Sequence, residues 1–145
     1  MKQLLLVILG CLPFGAGAWL NTQLKGNFNS DYLIWIAIAT LVVWMLIGLW
    51  TKSMIVGDSE LFWVHVPALA VILFTVYQSF FPATEILNLT GVYAQYFYLP
   101  LLPISSKLVG LLQLSIQQTV LLNQVVSLLL MVVSFWFGMK VIRFD

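Results

Sequence analysis

Charge is scarce in this sequence. Only 8% of its 145 residues are Asp, Glu, Lys or Arg, against about 25% in soluble globular domains. That is too little polar side chain to cover a water-facing fold, and it equally excludes a disordered polyelectrolyte. The six basic and five acidic residues leave a net charge of +1 with no basic cluster, so nucleic acid is excluded as a partner. One cysteine, Cys11, permits neither an internal disulfide nor a cysteine-based metal site. No Gly-rich phosphate loop, no nucleophile beside a base and no metal-ligand spacing is present. No catalytic residue, metal ligand or cofactor is therefore assigned, and an enzyme is not expected.

What the sequence does have is apolar length: 62% of its residues are hydrophobic, with a mean hydropathy of +1.05. A helix crosses the hydrocarbon core with about 20 mostly apolar residues. Four stretches qualify, at about 3–20, 32–50, 61–81 and 119–139, and none contains Asp, Glu, Lys or Arg. The expectation is a single all-α integral membrane domain over 1–145 with four transmembrane helices. The first stretch also carries the marks of a secretory or lipoprotein signal, with Lys2, Leu4 to Leu12, Cys11 and Ala16-Gly17-Ala18. Its apolar part before Cys11 is short for either, and it is read as a retained span. Four spans put Lys2, Lys52, Lys140 and Arg143 on one side and Lys25 and Lys107 on the other. The positive-inside rule then sets both termini in the cytoplasm, in a plasma or inner membrane.

Residues 82–118 are unlike an ordinary loop. Tyr93, Tyr96, Phe97 and Tyr98 are followed by Pro100 and Pro103, each lacking a backbone donor. Beyond them Ser106, Gly110, Gln113 and Gln117 share one helical face and Leu108, Leu111, Leu112 and Ile116 another. This predicts an interfacial or re-entrant amphipathic element on the outer leaflet, with the tyrosines at headgroup level. A fifth span is the lesser alternative, because Lys107 would lie near its middle.

His65 is the one ionisable side chain of ordinary titration within a span, about one turn into the third. Such residues mark proton paths or ligand sites by default. Alone, without an intramembrane acid or base, it reads more simply as a hydrogen-bonded structural imidazole. Asp58, Ser59 and Glu60 just before it read as a helix cap and first turn. Of the six tryptophans, Trp19, Trp50, Trp63 and Trp136 fall near span ends as interfacial residues; Trp35 and Trp44 are read as deeper packing residues. Asn88-Leu89-Thr90 matches the glycosylation acceptor pattern, which arises often by chance.

Small and hydroxyl residues mark the faces where helices meet in a membrane. The third span has His65, Ala68, Ile72, Thr75 and Ser79 in one arc, and the first has Cys11, Gly15 and Ala18. The fourth carries the most pronounced stripe, with Asn123, Ser127, Ser134 and Gly138, read as a helix-docking face. Leu121, Val125, Leu128, Val132 and Phe135 are assigned to lipid. Together these features suggest an accessory, assembly or structural subunit of a larger membrane complex, in contact with lipid and with other subunits or copies of itself. The alternatives are a homo-oligomeric channel, holin-like pore or small transporter, and a cofactor- or lipid-binding membrane enzyme subunit.

Overall fold

The computed structural model describes residues 2–26, 29–54, 59–81, 85–112 and 116–140. Among these every regular element is helical. The helices are α1 (Lys2–Gly10), α2 (Leu12–Leu24), α3 (Leu33–Met54), α4 (Ser59–Phe80), α5 (Glu85–Tyr96), α6 (Leu102–Val109) and α7 (Ile116–Lys140). Four stretches are long and apolar enough to cross a membrane: Lys2–Leu24, Leu33–Lys52, Leu61–Phe80 and Gln118–Lys140. They correspond to the four runs read from the sequence, to within a few residues at each end.

The first stretch is interrupted at Cys11, and Pro13 is the cause. A proline ring has no N–H to bond the carbonyl four residues back and clashes with it. The chain instead tightens into two three-residue bonds, from Cys11 N–H to the Ile8 carbonyl at 3.1 Å and from Phe14 N–H to the Cys11 carbonyl at 3.0 Å. Within the long helices hydroxyls bond back onto their own backbone, Thr40 to Ile36 at 2.8 Å, Thr75 to Val71 at 3.0 Å and Ser79 to Thr75 at 3.0 Å. This satisfies polar groups where the surroundings offer none.

α3 and α7 share the most extensive helix contact, and glycine sets its distance. A Cβ on Gly138 would run into the Met45 carbonyl, and one on Gly48 into the Phe135 carbonyl. Around this crossing lies the core of Leu6, Ala37, Trp44, Val64, Ala68, Phe97, Tyr98, Leu101, Met131 and Phe135. The outward face is apolar, with Ile8, Trp35, Val43, Leu73, Leu129 and Val133 all exposed.

Three of those core residues, Phe97, Tyr98 and Leu101, come from the segment between α4 and α7. α5 packs against α4 and α2. Gly91 meets the Gln78 side chain, and a Cβ on Gly17 would strike the Tyr96 carbonyl. Asn21 donates to the Tyr96 hydroxyl at 3.0 Å. Seven residues after Gly91, the Tyr98 hydroxyl donates to the Ala68 carbonyl at 2.7 Å. Ala68 lies ten residues back from Gln78 along α4, about 15 Å at helical rise. The chain thus descends along α4 and returns through α6, which packs on α7. Tyr93 stays exposed, whereas Tyr98, expected at headgroup level, is buried. α6 and the short turns that flank it direct Leu101, Ser105 and Val109 inward, one every four residues, and leave Leu108, Leu111 and Leu112 outward. Ser106 and Gly110 are exposed as well as Leu108, Leu111 and Leu112, so the two faces expected from the sequence are not divided by burial, and the face that packs is a third one. Neighbouring helices receive the small Ser105 and Val109 more closely than they would a leucine.

Candidate functional site

α4 carries His65 into the bundle, where the ring is 2% exposed. It packs edge-on against Trp44 and Phe135, with ring centroids 5.8 and 5.6 Å away. Nδ1 lies 2.7 Å from the Leu61 carbonyl. A carbonyl only accepts, so Nδ1 bears the proton and Nε2 presents its lone pair. The Trp44 indole N–H donates to that lone pair at 3.1 Å. Both ring nitrogens of a neutral imidazole are thereby satisfied. Among the described residues no three His, Cys, Asp or Glu side chains group to hold a metal. Trp44 is fixed in the core by the same bond, while Trp35, read as deep, is exposed in the first turn of α3. The cap assigned to Asp58, Ser59 and Glu60, the side chains of Asn88 and Thr90, and Gln113, Gln117 and Arg143 lie outside what is described.

The stripe on α7 divides. Asn123 and Ser127 are buried, and Gly138 is buried against α3. Ser134 is half-buried and opens onto a groove between α3 and α7, lined by Ile38, Val42, Met45, Val133 and Phe137. Asn123, Ser127 and Gly138 therefore face this chain's own helices. Phe135, assigned to lipid from the sequence, is fully buried. It stands four residues after Met131 and eight after Ser127, in the column of side chains that points into the bundle.

The N-terminal half of α7 holds the least satisfied polar groups in the described residues. Asn123 Oδ1, Gln124 Nε2 and Oε1, and Ser127 Oγ are buried without a hydrogen-bond partner. Asn123, Gln124 and Ser127 are 8%, 3% and 1% exposed. They line a cavity of about 150 Å³ whose far wall is the returning segment, with Tyr98, Leu99 and Leu102. Val120 and the exposed Gln95 complete its lining. Tyr98 is not an available donor there, because its hydroxyl is bonded to Ala68. Each buried polar group left unpaired costs about 1–3 kcal/mol. Sequence reasoning singled out Asn123 and Ser127, placed Tyr98 at headgroup level rather than in the bundle, and missed Gln124 and Gln95. An Asn-Gln pair inside an otherwise apolar run was the available signal for Gln124.

No protein-family model, curated protein or solved structure matches the chain.

Proposed function

We propose that this is an integral membrane protein with both termini cytoplasmic, serving as a non-catalytic accessory or assembly subunit of a larger membrane complex. Four apolar helices and an outward face of Leu73, Trp35 and Leu129 suit lipid and would be costly in water. Exposed Lys2, Lys52 and Lys140 favour the cytoplasmic side for the end of the bundle that they share. Residues 85–112 form a re-entrant element in this reading, since Tyr98 bonds to α4 well below Gln78.

The single observation that carries the non-catalytic reading is His65. Its two nitrogens are engaged by Leu61 and Trp44 inside a closed aromatic cluster, which leaves it no free lone pair for a proton path or a ligand. The pore alternative is less well supported: it needs a polar stripe facing outward, and only Ser134 of the four has that aspect. Extraction from the native membrane in gentle detergent, followed by mass analysis of the chains that co-purify, is the test. Foreign membrane subunits in fixed ratio are expected. A homo-oligomer that conducts ions in liposomes would overturn the assignment in favour of a pore.

A further inference from the structure

We propose that the cavity between α7 and the returning segment is a binding site for the hydroxyl-bearing head of an uncharged lipid, of the diacylglycerol or long-chain alcohol class. The proposal rests on the membrane reading above and goes beyond the accessory-subunit reading.

Three observations converge on that chemistry. The first is the set of unmet groups: an amide oxygen from Asn123, a whole amide from Gln124 and a hydroxyl from Ser127, all more than nine-tenths buried. Each of these atoms has under 1 Å² of accessible surface and stands just behind the cavity wall. Rotation of the side chains presents acceptors and donors side by side, the complement of an alcohol, itself both donor and acceptor. The second is the absence of charge in the lining, whose remaining members are Gln95, Tyr98, Leu99, Leu102 and Val120. A phosphate, carboxylate or ammonium head would be desolvated there without a counter-ion, at large cost. Lys107, the basic residue of α6, is exposed and does not line the cavity.

The third observation is depth. Asn123 to Ser127 stand five to nine residues beyond Gln118, where the fourth span begins, or about 8–14 Å along the helix. That is below headgroup level, at a depth where amphiphiles outnumber water-soluble molecules. Leu99, Leu102 and Val120 provide an apolar wall for the first carbons of a chain, and a cavity on the order of 150 Å³ admits a head of benzene size.

The test uses the full chain, recovered from the membrane fraction in mild detergent. Dioleoylglycerol is the probe, with dioleoyl phosphatidic acid as the charged comparison, both followed by native mass spectrometry and by melting-temperature shift. Saturable binding of one diacylglycerol per chain is expected, about ten-fold or more tighter than phosphatidic acid. Gln124→Leu and Ser127→Val should weaken it about ten-fold or more. Their ligand-free melting temperatures should not fall, because each exchanges an unpaired polar group for an apolar one of similar size. Leu102→Trp narrows the cavity from its exposed edge, leaves the polar atoms in place and should also lower affinity, so the proposal stays testable if a buried variant misfolds. Equal affinity for the two lipids, full binding by the variants, or no saturable binding, as for a cavity that holds only water, overturns it. A chain absent from the membrane fraction overturns the four-span reading and this proposal together. Absence of saturable binding by the unsubstituted chain recovered from the membrane fraction overturns the proposal alone.

Discussion

His65 and Trp44 sit 21 residues apart on different helices, and each completes the other's hydrogen bonding. Trp44→Phe keeps an aromatic ring against Phe135 but removes the indole N–H, leaving Nε2 unpaired. A loss of about 1–3 kcal/mol of stability is expected, read from unfolding by a denaturing detergent. His65→Gln retains a donor for Leu61 and an acceptor for Trp44, so it should cost less than His65→Leu, which strands the indole. If His65→Gln folds normally yet abolishes co-purification of partner subunits, the ring has a role beyond packing. The sequence identified His65 because it is unique within the spans. It gave no sign of Trp44 as the partner, since that pairing depends on how α3 and α4 cross and no local pattern encodes it.

At the scale of helices, the α3–α7 crossing depends on backbone meeting backbone. Gly138→Leu forces a side chain into the Met45 carbonyl, and the strain or separation should cost about 1–3 kcal/mol or more. Leu129→Ala, at an exposed position of the same helix, should stay within about 0.5 kcal/mol. Equal folded yields for the two variants on a native gel would show that the helices do not meet through this glycine. The re-entrant reading proposed for residues 85–112 makes a separate prediction. A single cysteine at Leu101, in a Cys11→Ser background, should resist a membrane-impermeant thiol reagent applied from either side, whereas one at the exposed Gly26 should react from outside. Rapid reaction at Leu101 would mean that the segment lies on the surface. The four long helices were legible because apolar length is a property of each run by itself. The break at Cys11 was not drawn, although Pro13 encodes it. Between α4 and α7 the sequence displayed apolar and aromatic content, but not whether the segment lies flat or descends. Contacts such as Tyr98 with Ala68 and Gly17 with Tyr96, which pack it on α4 and α2, depend on the tertiary fold and leave no local trace. The lipid-facing side of α7 was misdrawn: Leu121, Val125, Leu128 and Val132 are half-buried and Phe135 is buried, while Leu129, Val133, Trp136 and Phe137 are exposed. Polarity was used to find the interior, but a large ring fills it next to His65.

For the whole molecule, orientation is the first thing to measure. Reporters fused after Asp145 and inserted between Asn21 and Asp31 should report opposite sides, and a cytoplasmic signal from both would be fatal to the four-span topology. The re-entrant reading proposed for residues 85–112 has a further consequence, for biogenesis. α5 has 12 residues and α6 has eight, so at helical rise they reach about 18 and 12 Å, short of a hydrocarbon core about 30 Å thick. Neither can be threaded across as an independent segment while the chain is being synthesised. Its polar backbone ends become tolerable only against finished neighbours, α2 and α4 on one side and α7 on the other. On that reading, because α7 is made after the α5–α6 hairpin, the hairpin has to wait at the outer surface until α7 arrives and is then drawn inward as the helices close around it. Maturation of this protein is thus ordered in time, with the middle of the chain the last part to settle.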